Sequence, residues 1–214
     1  MIATSARFIS IEGIEGAGKS TAVAFIRDYL QKQSIPAYFT REPGGTPIAE
    51  SIRQLLLHHE AKEVMQAETE LLLMFAARAQ HIAHCIKPHL QNNEWVISDR
   101  FIDASYAYQA AGRALSKAFI RTLDEHIVKQ YYPHLTILLD ISPELGLKRA
   151  ATRGNKKDRI ESEQIEFFER VRNAYLERYR SDPERIKLID ASLSLDSVQQ
   201  QVETVLTTFI SSMS

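Results

Sequence analysis

The sequence predicts an α/β fold: a doubly wound sheet of about five parallel strands, flanked by helices on both faces. Three observations carry that expectation. Apolar strand-like segments alternate with amphipathic helical segments along all 214 residues. The run Leu135-Thr136-Ile137-Leu138-Leu139-Asp140 is apolar almost without a break, which suits a strand covered on both faces. Near the start, the apolar run Phe8-Ile9-Ser10-Ile11-Glu12 breaks at Gly13 and a helical segment follows Ser20. Between them, Gly13-Ile14-Glu15-Gly16-Ala17-Gly18-Lys19-Ser20 matches G-x-x-x-x-G-K-[ST], followed by Thr21.

The elements follow in order. The helix after the glycine-rich loop runs to about Gln33, where Ile35-Pro36 stops it, because proline disfavours helix in the residue before it. Ala37 to Thr40 reads as a second strand, and Arg41-Glu42-Pro43-Gly44-Gly45 as a loop needing special backbone angles. Thr46 is a helix cap with Pro47 in the first turn; Ile48, Ile52, Leu55 and Leu56 mark the buried stripe. Ala67 to about Leu90 is read as one long helix, with Leu71, Leu72, Phe75, Ala79 and Ile82 on its apolar side. Trp95 to Ser98 is a third strand running into Asp99-Arg100-Phe101, and helices fall near Ala104–Ala110 and Ser116–Lys129. Beyond the Leu135–Asp140 strand, a helix from about Pro143 to Thr152 leads into the polar run Arg153 to Arg159. A helix bearing Ile165, Phe168, Tyr175 and Tyr179, a strand Ile186–Ile189 and an amphipathic helix with Val198, Val202, Val205 and Phe209 complete the chain.

Bulk composition narrows the class. With 44% hydrophobic and 25% charged residues the chain reads as a soluble globule. The formal charge of −1 shows no basic excess of the kind nucleic acid or a membrane surface attracts. Cys85 is the single cysteine, which excludes an internal disulfide and a thiolate metal cluster. Met1 to Arg7 has no apolar signal core, and no apolar run is long enough to span a bilayer, so the expected location is cytoplasmic. Without repeats, low-complexity tracts or linkers, residues 1–214 read as a single domain.

The glycine-rich loop states a chemistry. Gly13 and Gly18 let the backbone curl so that successive N–H groups form a nest for phosphate oxygens at a helix N-terminus. Lys19 carries a point charge to the β- and γ-phosphates, and the Ser20 hydroxyl can ligate magnesium. Charged residues also stand just past three strand ends: Glu12 and Glu15, Arg41 and Glu42, Asp99 and Arg100. In a parallel sheet these ends share one edge, so the groups are expected to converge around the loop.

Phe8 to Ser20, Thr40-Arg41-Glu42-Pro43-Gly44-Gly45-Thr46, Asp99-Arg100-Phe101 and Ala107-Tyr108-Gln109 resemble the successive motifs of bacterial thymidylate kinases, from about Arg7 to the C-terminal helix. The resemblance implies a P-loop NTPase-type nucleoside monophosphate kinase with a small helical lid at about 149–160. It implies ATP as phosphoryl donor, Mg²⁺, dTMP as acceptor and a homodimer packed on the Ala67–Leu90 helix and its neighbours. Gly13 to Thr21 then hold ATP, with Lys19 catalytic, and Ser20 and Asp99 serve the metal; a salt bridge to arginine is the alternative for Asp99. Arg41, Arg53 and Arg100 grip the acceptor phosphate with planar guanidinium forks; for Arg53 a solvated surface charge is the alternative. Glu15 accepts the 3′-hydroxyl, and Glu42 belongs to the same substrate site. Some relatives carry arginine at position 16; this chain has Gly16 and resembles the branch whose lid supplies it. Arg153 is the first choice for the transferring phosphoryl, with Arg149 or Arg159 next, against a merely solvated basic loop. Phe75 is expected to stack on the base and Arg78 to donate to O4, with Gln109 and Ser105 completing the base edge. A core phenylalanine under a snorkelling arginine is the alternative. Arginine has donors only, so it matches thymine or uracil and opposes cytosine.

No general base is called for, because a phosphate monoester with second pKa near 6 is already largely ionised at neutral pH. Another pyrimidine monophosphate kinase is the nearest competing function. Asn155-Lys156-Lys157-Asp158 spells the N-K-x-D guanine motif of regulatory GTPases, but follows a helix and Gly154 instead of a strand, and is read as chance. His81 and His84 are read as a polar helix face, not a metal pair, and His58-His59 as a frayed helix end. The resemblance also implies a cis bond at Glu42-Pro43.

Overall fold

The computed structural model describes residues 6–58, 63–152 and 158–213. Its strands are β1 (Phe8–Glu12), β2 (Ala37–Arg41), β3 (Trp95–Asp99), β4 (Leu135–Asp140) and β5 (Ile186–Asp190). They form one sheet in the order β2-β3-β1-β4-β5, with each neighbouring pair parallel. Covered on both faces, β1 and β4 are buried nearly throughout, whereas the edge strands β2 and β5 are partly exposed. That is why the inner strands lack a polar face in the sequence. Adjacent residues of β1 serve different parts of the core: Ile9 and Ile11 join the larger apolar cluster, Phe8 the smaller.

The helices are α1 (Lys19–Lys32), α2 (Pro47–His58), α3 (Ala67–His81), α4 (Lys87–Gln91), α5 (Ile102–Ser105), α6 (Lys117–Ile127), α7 (Pro143–Ala151), α8 (Ile165–Ser181) and α9 (Leu195–Ser211). Their starts are written locally. Thr46 Oγ1 accepts the Ala49 N–H at 3.3 Å ahead of α2. Ser142 and Ser194 cap α7 and α9 in the same way, satisfying N–H groups that have no partner in a first turn. The Glu42-Pro43 peptide is cis.

Two expected helices are interrupted. The Ala67–Leu90 helix is three pieces, α3, a π-helical turn at Ile82–Ile86, and α4. Pro88 has no N–H for the carbonyl four residues back and its ring crowds that carbonyl; a widened preceding turn relieves the crowding. The helix expected near Ala104–Ala110 begins earlier, as α5, and continues as a second π-helical turn, Tyr106–Gly112.

The order of the strands builds the site. β1 leads through α1 towards one edge of the sheet, while β3 leads towards the other, so a crevice opens where these adjacent strands part. Register pairs Ile11 with Asp99, which sets Gly13 and the following loop beside Asp99-Arg100.

Candidate active site

The loop between β1 and α1 curls as its glycines permit, with Gly18 at φ +92° on the helix N-terminus. Gly16, at φ +75°, meets the next layer so closely that a Cβ there would lie 1.8 Å from the Gly146 carbonyl oxygen of α7. This explains a sequence feature: an arginine at position 16 has no room in this packing. Lys19 folds over the loop, donating to Gly13 O at 3.0 Å and Ile14 O at 2.8 Å. Burial and the nearby Arg100 guanidinium pull its ammonium pKa down, so the site favours an incoming anion.

Across the crevice, Arg100 adopts φ +67°, a left-handed backbone that a residue with a Cβ adopts only under constraint. Three hydrogen bonds hold it: Arg100 N–H to Ile11 O, Ser98 Oγ–H to Arg100 O, and Phe101 N–H to Glu12 Oε1. The guanidinium thereby meets the Glu15 carboxylate and, at 3.2 Å, the Tyr108 hydroxyl. Burial alone would lower its pKa, but Glu15 holds it well above the ordinary value. Arg53, on α2, reaches the same cavity and donates to Pro43 O at 2.9 Å. Burial, Arg41 and Arg100 lower its pKa, so it is not a solvated surface charge. Asp99 and Ser20 line this cavity too. Asp99 Oδ1 is buried without a hydrogen-bond partner among the described residues; the Arg100 Nη1 atom is 3.9 Å away.

The far end of the cavity is organised by a buried carboxylate. Glu42 accepts from Arg78 Nε at 2.8 Å and from His81 Nδ1 at 2.9 Å, and all three side chains are buried. His81 Nε2 bonds Thr40 Oγ1 at 2.8 Å. Burial would lower the His81 pKa, but hydrogen bonds with Cys85 and Glu42 raise it to about 9. Arg78 also donates to Ser105 Oγ and to the Phe101 carbonyl, so three of its five N–H groups are committed and two remain. Gln109 and Ser105 stand beside it on the wall.

A second cleft opens on the other side of the loop. Gly16, Gly18, Thr21 and Phe25 face Arg149, Leu193, Val198 and Gln199 across it. The two clefts flank one phosphate loop, an arrangement suited to two ligands meeting there.

Most of the sequence-predicted residues come together, and some do not. Lys19, Ser20, Glu15, Glu42, Arg53, Arg78, Asp99, Arg100, Ser105 and Gln109 line one cavity. Arg41 does not: it projects from the edge strand, half exposed, and pairs with Glu50 at 3.0 Å. Phe75 is also corrected. It lies in the core with the Arg78 guanidinium 4.8 Å from its ring centroid, while Met74 lines the cavity. Residues four apart stack on a helix, so Met74 and Arg78 share the cavity face, and Phe75 is turned about a quarter-turn away. Arg149 donates to the carbonyls of Ala191 and Ser192 and lines the second cleft, not the first. Glu12 lies beneath the cavity, its carboxylate accepting from Phe101 N and Tyr175 OH, and burial, with Asp103, raises its pKa to about 7.

His81 and His84 do not form one polar face: His81 is fully buried and His84 exposed, and among the described residues no His, Cys, Asp or Glu cluster is set to hold a metal. His58 ends α2, and His59 lies outside the described residues. So do Arg153 and the first three positions of the N-K-x-D run. Asp158 closes a turn, its Oδ1 accepting the N–H groups of Ile160 and Glu161 at 2.8 Å. Arg159 donates to Leu56 O at 3.0 Å and to Glu70 Oε2 at 2.6 Å.

Sequence reasoning missed Met74, Leu57, Ile160 and Glu161 as cavity residues, and Glu70 behind Gln109; Tyr108 stood in a motif but was given no role. Helical spacing of four from Arg78 would have found Met74. No local signal marks Glu70, which reads as an ordinary first-turn acidic residue.

Comparison with known proteins identifies the family. The thymidylate kinase family model matches residues 11–202. A thymidylate kinase of Ruthia magnifica is 50% identical over 200 residues, covering 94% of this chain and 97% of that protein. One from Pseudomonas savastanoi is 50% identical over 199 residues, covering 93% and 94%. The crystal structure of thymidylate kinase from Ehrlichia chaffeensis superposes with a TM-score of 0.75 at 30% identity, covering 95% of this chain and 99% of that one. With its phosphate loop, its two clefts and these relatives, the chain belongs to the thymidylate kinase family.

Proposed function

We propose that the protein transfers the γ-phosphoryl group of ATP to dTMP, giving ADP and dTDP. One observation carries the reading. The cavity has a cationic end, formed by Lys19, Arg53 and Arg100 beside the phosphate loop, and a hydrogen-bonding end at Arg78, Ser105 and Gln109, suited to reading a base. That suits a nucleoside monophosphate laid with its phosphate towards the loop.

ATP occupies the loop and the second cleft, with its phosphates on the backbone N–H groups and Lys19. Arg149, which the sequence put among the catalytic residues, serves that cleft instead. Arg53 and Arg100 hold the acceptor phosphate, and Glu15 takes the 3′-hydroxyl. Arg41, paired with Glu50 outside the cavity, has no part in gripping it. Met74 supplies the apolar surface under the base that Phe75 was expected to supply. The acceptor phosphate is already largely dianionic, so catalysis consists of alignment and charge neutralisation. Glu42 is engaged by Arg78 and His81, and Glu15 by Arg100, so neither is needed as a base. Arg153, from the lid, neutralises charge on the moving phosphoryl, a contribution of roughly 10³- to 10⁵-fold in rate.

Ser20 and Asp99 fit Mg²⁺: a hydroxyl and an unpartnered buried carboxylate oxygen line the same wall. The ion would neutralise charge between the β- and γ-phosphates when bound. We read the chain as one cytoplasmic domain that forms a homodimer without nucleic acid. Half-exposed Leu55 on α2 and Leu72 on α3 support that contact, and light scattering tests it. Among the described residues no helix is long and apolar enough to cross a membrane.

The test is ADP release measured with ATP and each of the monophosphates of T, U, C, A and G. Preference for dTMP is expected. Preference for a cytidine or purine nucleotide would sink the base assignment, and GTP binding without transfer would favour a switch protein.

A further inference from the structure

Glu70 stands in the first turn of α3, 1% exposed, and does not line the cavity. Its Oε1 accepts the side-chain N–H of Gln109 at 2.8 Å. Its Oε2 accepts from Arg113 Nε at 3.0 Å and from Arg159 Nη2 at 2.6 Å. Both carboxylate oxygens are thus engaged, by one amide and two guanidinium groups.

The consequence lies in Gln109. A side-chain amide is an acceptor at one end and a double donor at the other, and rotation by half a turn exchanges them. A carboxylate between two guanidinium groups can only accept, so the Gln109 NH₂ must face Glu70. The Gln109 carbonyl oxygen is then the end left for the cavity. Arg78 beside it offers only donors.

We propose that Glu70 is a positioning residue for base selection: it locks the Gln109 amide so that the cavity presents donors from Arg78 next to an acceptor from Gln109. This rests on the assignment of the cavity to a pyrimidine monophosphate. Thymine and uracil offer the complement, a carbonyl next to a ring N–H. Cytosine offers an amino group next to a bare ring nitrogen and is opposed at both positions. Rejection on two adjacent atoms follows from a residue that never touches the base.

The test is Glu70→Gln. Its carbonyl is drawn to Arg113 and Arg159, which leaves its NH₂ facing position 109 and turns the Gln109 amide over. The dTMP:dCMP ratio of kcat/KM is expected to fall about tenfold, through KM for dTMP more than through kcat. An unchanged ratio in a folded variant would overturn the proposal. If the wild-type protein itself does not prefer dTMP, the underlying assignment fails instead, and the two failures are distinguished.

A measurement on the wild-type protein covers the case in which that variant does not fold. With ¹⁵N-glutamine labelling, the Gln109 NH₂ signals, assigned by their loss in Gln109→Leu, should exchange slowly with solvent with and without dTMP. Signals that exchange fast until dTMP is added would place the NH₂ on the base and overturn the proposal.

Discussion

Arg78 donates its Nε–H to Glu42 at 2.8 Å, and the same carboxylate accepts from His81, so one buried anion sits between two cations that the chain supplies from α3. Removing the anion would strand both cations away from water. Glu42→Ala should therefore destabilise the fold by about 3–5 kcal/mol. Arg41→Ala, at the exposed pair with Glu50, should change stability by less than about 1 kcal/mol. Chemical denaturation of both variants checks the contrast; equal effects would show that burial does not govern these pairs.

His81 carries a pH dependence. Its pKa is raised from 6.5 to about 9 in the folded state, so the protonated form is favoured by folding. The stability this provides is complete below pH 6.5 and is lost as pH rises through about 9, on the order of 3 kcal/mol in full. Thermal unfolding midpoints should fall across that window, and His81→Gln should remove most of the fall. A midpoint that rises from pH 6.5 to 9 would contradict the assignment.

Gly16→Ala should damage the donor side selectively. The added Cβ would meet Gly146 O at 1.8 Å and sit at φ +75°, so the loop must shift. KM for ATP should rise by about tenfold or more, with a smaller change for dTMP. Equal changes in both would point to general loosening.

Asp99→Asn tests the metal. An outer ligand or its support typically affects metal affinity by about 10- to 100-fold. The Mg²⁺ needed for half-maximal activity should rise by about that factor, while the KM for dTMP holds. Activity that survives chelation in the wild-type protein would remove the ion from the mechanism.

Much of this was legible in the chain because it depends on local spacing. The glycines, lysine and serine of the phosphate loop must be contiguous to curl around a phosphate, so eight consecutive residues declare it. Thr46 announces its helix by the same local logic. The nearly unbroken apolar run at β4 told that the strand is covered on both faces, and alternation of elements told that the sheet is parallel.

Tertiary structure decided which neighbours each side chain meets. Arg41 ends β2 and Arg100 follows β3, yet only Arg100 turns inward, because Ile11, Ser98 and Glu12 clamp its backbone. Met74 and Phe75 are both apolar residues on α3, and their rotation about the helix axis gave the cavity to the first. Glu70 and Gln109 lie 39 positions apart, and their hydrogen bond exists only because α3 packs beside the turn that carries Gln109. Sequence spacing determined the elements, their alternation and the phosphate cradle, since apolar periodicity and the loop's curl are set by near neighbours in the chain. The orientation of the groups around the acceptor was decided by long-range packing, since an amide or a guanidinium takes its direction from whatever partner the fold sets against it.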